Sequence, residues 1–145
     1  MYKIFSKCLL ERLKNTLSFS QSRDKAAFKK GFTTSDHLQC LNQLIEKSNE
    51  YQFQVYFGFL DFKKAFDSVE HFAIWEALEK CGVNSNYIKI LVNIYEKSTA
   101  SITTDKKGRS FLVKRGVKQG DPLSPILFSS VLENVFFKTE LGTIW

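Results

Sequence analysis

The chain has 145 residues, 43% of them hydrophobic and 14% aromatic, with a formal net charge of +6. This is enough apolar material for one compact domain or part of a larger one, and it excludes intrinsic disorder. The apolar runs are too short to span a bilayer and the first residues lack a signal peptide's apolar stretch and cleavage site, so an intracellular location (cytoplasm or nucleus) with no membrane partner is expected.

In chain order, the positive excess comes first: residues 1–30 hold eight Lys and Arg against two acids, and beyond them the two signs balance at thirteen each. Such a segment suits a phosphate backbone or a triphosphate, and equally a solvated basic helix. Phe5, Leu9, Leu13 and Leu17, with Cys8 alongside, mark the apolar stripe of a helix over residues 2–17. After a polar, irregular stretch to Gly31, Thr33-Thr34-Ser35-Asp36 reads as a capping box. Leu38, Leu41, Leu44 and Ile45 then carry a helix to about Asn49 that should pack on one side. Residues 53–60, Phe-Gln-Val-Tyr-Phe-Gly-Phe-Leu, set rings and Val too closely for a one-faced helix and predict a strand buried on at least one face, with Asp61 at its exit. Ser68 is placed to cap a helix over 70–81 with Ile74, Trp75, Leu78 and Cys81 inward and Gly82 ending it. Asn84 or Ser85 starts the next helix, over 86–97, with Tyr87, Ile88, Leu91, Ile94 and Tyr95 on one stripe. A hairpin follows over 101–114, then a loop through Gln119-Gly120-Asp121-Pro122, and Pro125 suits the first turn of a last helix facing inward through Ile126, Leu127, Val131, Leu132, Val135 and Phe136. The fold class is α+β or mixed α/β, with α+β the one expected. Cys8, Cys40 and Cys81 are odd in number and widely spaced, so buried thiols are expected rather than disulfides or a zinc site.

Three stretches carry chemistry. Asp61 sits in Phe59-Leu60-Asp61-Phe62-Lys63-Lys64-Ala65-Phe66-Asp67-Ser68-Val69. Taken alone, a carboxylate after a strand caps a turn as well as it binds a cation. Ahead of this run lies Ala27-Phe28-Lys29-Lys30-Gly31-Phe32-Thr33-Thr34-Ser35-Asp36-His37-Leu38, and two helices and a hairpin beyond it lies Lys114-Arg115-Gly116-Val117-Lys118-Gln119-Gly120-Asp121-Pro122-Leu123-Ser124-Pro125. In this order they resemble the reverse transcriptases of non-LTR retrotransposons, the endonuclease/reverse-transcriptase type, over nearly the whole chain.

That resemblance implies a partial right-hand polymerase fold, with fingers over about 1–50 and the first half of the palm over about 51–145. It implies an RNA-directed DNA polymerase using an RNA template, a DNA primer, dNTPs and Mg²⁺. Asp61 would be the first catalytic aspartate, binding Mg²⁺ with help from the Phe62 carbonyl. Phe66 would be the steric gate beneath the incoming sugar, or else a core ring. Gln119 and Gly120 would border the nucleotide, and Lys29 would meet the triphosphate where the family usually has Arg. Arg115 would touch phosphate or decorate a strand end. Asp67 and Asp121 read as turn or cap residues, and His37 and His71 as surface or capping residues. Arg23-Asp24-Lys25-Ala26-Ala27 departs from the family's usual Glu-Gln-Ala-Gly. The chain has no Asp-Asp pair, so the family's second carboxylate motif is missing, as are the thumb and the residues ahead of Met1 that complete the fingers. The sequence reads as a truncated retroelement copy or an incomplete gene model, inactive by itself. The alternative is a non-catalytic nucleic-acid-binding remnant or a translated pseudogene.

Overall fold

The computed structural model describes residues 1–19, 31, 33–105 and 107–138. Two compact units divide the chain, one formed by Met1–Gln21 with Lys64–Trp145 and the other by Ser22–Lys63. The architecture is α+β: six helices and a two-stranded antiparallel sheet among the described residues.

The first unit holds α1 (Tyr2–Phe19), the single turn α3 (Ala65–Ser68), α4 (His71–Lys80), α5 (Ser85–Glu96), β1 (Thr99–Thr103), β2 (Lys107–Leu112) and α6 (Ser124–Lys138). α4 packs on both α5 and α6, and α1 packs on α6. Leu13 and Leu17 of α1, Ile74 and Leu78 of α4, Leu91 of α5 and Leu127 of α6 lie fully buried in one cluster. Burial of each such side chain stabilises by about 1.5–3 kcal/mol.

On α1 the predicted stripe holds at Leu9, Leu13 and Leu17 and fails at its start. Leu9, Leu13 and Leu17 are inside, but Phe5 and Cys8 are exposed and Ser6 is buried instead. The stripe therefore runs 6, 9, 13, 17, still a helical spacing, because the Ser6 hydroxyl has a partner in the interior that Phe5 could not use. Cys40 is also exposed and Cys81 half-buried, so the expectation of buried thiols fails.

α4 begins at His71 with Glu70 as its cap residue, while Ser68 belongs to α3, which corrects the predicted Ser68 cap. Gly82 ends the helix in the left-handed region (φ +77) as expected, and Asn84 starts α5 by accepting from the Asn86 amide at 2.9 Å. The hairpin pairs Thr99 with Leu112 and Ser101 with Ser110, then changes register before Thr103 meets Lys107.

The second unit contains α2 (Thr34–Tyr51) and, after it, a segment without regular structure. The capping box forms: Asp36 Oδ2 accepts from the Thr33 amide at 2.7 Å and from its hydroxyl at 3.0 Å, which holds the Asp36 carboxyl below its usual range. The expected packing of α2 on one side is not found, since it has no buried residue and Leu38, Leu44 and Ile45 are exposed. The predicted strand over 53–60 is likewise absent. Residues 53–62 have no regular structure and only Val55 is half-buried. A strand needs a neighbour for its N–H and C=O groups, and among the described residues the one sheet is the β1–β2 hairpin.

Candidate functional site

The backbone around Phe66 is fastened to the segment after β2. Val117 N–H donates to the Phe66 carbonyl at 2.9 Å, Gly116 N–H donates to the Val69 carbonyl at 2.7 Å, and Glu70 and Arg115 form an antiparallel bridge. Gly116 makes this possible. A Cβ there would sit 3.0 Å from Asp67 Cα and 3.1 Å from the Phe66 carbonyl oxygen, and its φ of +86 lies where side chains are strained. The Gly116 carbonyl in turn meets His71 Nε2 at 3.2 Å, which assigns the proton to that nitrogen because a carbonyl only accepts. His71 is half-buried with its ring edge-on to Tyr95, 5.1 Å between centroids, so it is neither the surface nor the capping residue expected.

Four of the predicted site residues lie on these two fastened segments. Phe66 is half-buried and stacks on Phe128 at 4.6 Å between ring centroids. Arg115 pairs with Glu70 at 3.6 Å, both side chains exposed. Gln119 is exposed, and its Nε2 donates to Asp67 Oδ1 at 3.3 Å. Gly120 follows with φ +76 in the turn closed by Asp121 N–H on the Lys118 carbonyl at 3.2 Å. Positive φ at the third position is the type II pattern that calls for glycine.

Asp121 does form turn chemistry, accepting from the Leu123 amide at 3.1 Å, but it is also only 6% exposed and receives the hydroxyls of Tyr2 and Ser6 from α1. Sequence reasoning missed this, along with Gly116 and the His71 contact. Ser6 on the apolar side of a helix was the available signal for Asp121. Burial raises the Tyr2 phenol above its ordinary range, with the Asp121 hydrogen bond and charge adding to it. Lys118 Nζ lies over the Tyr2 ring at 4.7 Å and the Tyr95 ring at 5.4 Å, and burial lowers its affinity for the proton while Asp121 restores part of it.

Asp61 and Phe62 belong to the Ser22–Lys63 unit, and both are exposed. Lys29 lies outside the described residues. Mg²⁺ takes about six oxygen ligands. Asp61 with the Phe62 carbonyl could offer two, and no group of three His, Cys, Asp or Glu forms among the described residues. These residues by themselves do not fit a resident cation site.

A family model for reverse transcriptase (RNA-dependent DNA polymerase) matches residues 1–143. The chain belongs to this family. Reverse transcriptases of non-LTR elements are also its relatives: it is 34% identical over 111 residues to the Pol polyprotein of the type-2 retrotransposable element R2DM of Drosophila melanogaster, covering 74% of the chain and 10% of that protein. It is 36% identical over 110 residues to the Pol polyprotein of the type-1 element R2 of Nasonia vitripennis, covering 75% of the chain and 11% of that protein. A looser likeness, 28% over 133 residues, covers 91% of the chain and 10% of the transposon TX1 149 kDa protein of Xenopus laevis. The chain thus spans about a tenth of the length of the curated relatives it matches. Among the described residues no helix is long and apolar enough to cross a membrane.

Proposed function

We propose that the chain supplies the fingers (about 1–50) and first palm half (about 51–145) of an intracellular RNA-directed DNA polymerase that copies an RNA template onto a DNA primer from dNTPs. The observation that carries this reading is the fastening of the Phe66 turn to the Arg115–Gly120 segment through Gly116, within a chain matched by the family along its length. It brings a ring, an amide side chain and a guanidinium to neighbouring positions, a set suited to a sugar, a base edge and phosphate. In this reading Phe66 gates the sugar, Gln119 and Gly120 border the nucleotide, and Arg115 and Lys29 meet phosphate. Asp61 is the first of the carboxylates that two-cation phosphoryl transfer requires.

One carboxylate does not hold two mutually repelling cations, so the 145-residue chain by itself should not extend a primer on an RNA template with Mg²⁺ or Mn²⁺. Spliced into the Drosophila relative in place of the matched segment, it should extend one, and Asp61→Ala should abolish the product. A folded but inactive chimera, or activity that survives Asp61→Ala, would overturn the assignment.

A further inference from the structure

We propose that Asp121 is a positioning residue for the Gln119–Gly120 turn, and that α1 sets the turn's place through Tyr2 and Ser6. The functional consequence rests on the polymerase reading above; the positioning itself does not.

Gln119 and Gly120 are the two central residues of the Lys118–Asp121 turn, and both are exposed. Apart from the exposed Gln119 Nε2 bond to Asp67 Oδ1 and the tie of neighbouring Val117 to Phe66, their location is decided at the turn's ends. At one end the Lys118 carbonyl accepts from Asp121 N–H at 3.2 Å and from Ser124 Oγ at 2.5 Å, while the Lys118 ammonium rests on the Tyr2 ring. At the other end Asp121 is 6% exposed, with Oδ2 accepting from the Tyr2 hydroxyl at 2.6 Å and Oδ1 accepting from Ser6 Oγ and the Leu123 amide. Tyr2 thus touches both ends, by its ring face and by its hydroxyl. These partners are 119 and 115 residues away in sequence.

A buried carboxylate is costly unless its oxygens are satisfied, and here two of its three donors come from one helix. An apolar residue at position 6 would extend the Leu9–Leu13–Leu17 stripe and bury more apolar surface. The Ser6–Asp121 pair instead specifies one register of α1 against the turn, the use for which buried polar groups are best attested. With Leu9, Leu13 and Leu17 held in the core, the turn carrying Gln119 is tied to the core through α1.

The test uses the 145-residue chain with Tyr2→Phe, Ser6→Ala and both together, variants that keep ring and backbone. Amide hydrogen exchange is followed in peptides over 117–124 and, separately, in α4 and α5. The double variant should exchange about tenfold faster or more over 117–124 while α4 and α5 keep their protection. Unchanged exchange in the turn, or equal acceleration in α4 and α5, would overturn the proposal, the latter by showing a general core role. Binding of a complementary dNTP on an RNA–DNA template–primer is measured in parallel in the Drosophila chimera described above, with and without the same substitutions. Weaker binding in the double variant supports the functional consequence, and equal binding removes it. No binding by the unsubstituted chimera would count against the polymerase reading and leave the exchange result to decide the positioning.

Discussion

Phe66 has two roles to separate, because the ring proposed to face a sugar also stacks on Phe128. In the active chimera, Phe66→Val should raise ribonucleotide use far more than it lowers deoxynucleotide use, since the clash removed is with the 2′-hydroxyl. If packing dominates, truncation lowers stability and all incorporation together, with about 3–5 kcal/mol as the ceiling for a fully buried Phe. The dNTP/rNTP ratio of kcat/KM, measured beside a melting curve, distinguishes the two, and an unchanged ratio with a lowered Tm would return Phe66 to the core. Gly116 makes a sharper case. Gly116→Ala adds left-handed strain, about 1–3 kcal/mol, to a contact with the Asp67 backbone that cannot yield as a flexible side chain would. A lower Tm and faster exchange at Val117 are expected; a melting curve identical to the parent's would show that the segment relaxes without cost.

Helices α1 and α2 show how similar amphipathic patterns diverge at the scale of elements. Both have 18 residues, yet α1 buries four of them and α2 buries none. The difference is a partner surface: α6 and the 118–124 loop receive α1, including its polar Ser6. The same junction gives α1 a pH dependence. Burial, then the Asp121 hydrogen bond and charge, raises the Tyr2 phenol, and burial followed by the Asp121 charge raises that of Tyr95. A phenol with a raised folded pKa adds stability that is fully present below its unfolded value of about 10 and is lost as pH rises through the folded value. Phenolate absorbance should therefore show Tyr2 and Tyr95 ionising late, together with unfolding, and Tyr2→Phe should reduce that late rise. A phenolate rise that Tyr2→Phe leaves unchanged at high pH, with the fold intact, would contradict the buried junction.

Across the whole molecule the apolar surface is unevenly covered. The first unit encloses a core, whereas the second leaves Leu38, Phe53, Tyr56, Phe59, Leu60 and Phe62 exposed. Exposed large apolar side chains favour association. The isolated chain should bind a hydrophobic dye strongly and self-associate as concentration rises, and residues 38–62 should account for it. Replacing Phe59 and Leu60 by Ser should reduce both signals; a dye-silent monomer with one cooperative melt would show that this surface is covered in solution.

The sequence alone determined what depends on neighbours a few residues apart. The capping box at Thr33 and Asp36, the stop at Gly82, the Asn84 cap and the spacing of α4 and α5 follow from local hydrogen bonding and periodicity, which a sequence displays directly, whereas of the face predicted for α6 only Leu127 and Val131 are buried and Val135 is exposed. Its motifs also identified the family, and placed Phe66, Arg115, Gln119 and Gly120 on segments that the fold joins. Tertiary structure decided the rest. Whether 53–60 becomes a strand depends on a partner for its backbone, and alternation of rings cannot supply one. That Ser6 rather than Phe5 or Cys8 joins the buried Leu9–Leu13–Leu17 stripe of α1 depends on Asp121, 115 residues beyond Ser6, because a buried carboxylate must find its donors wherever the fold brings them.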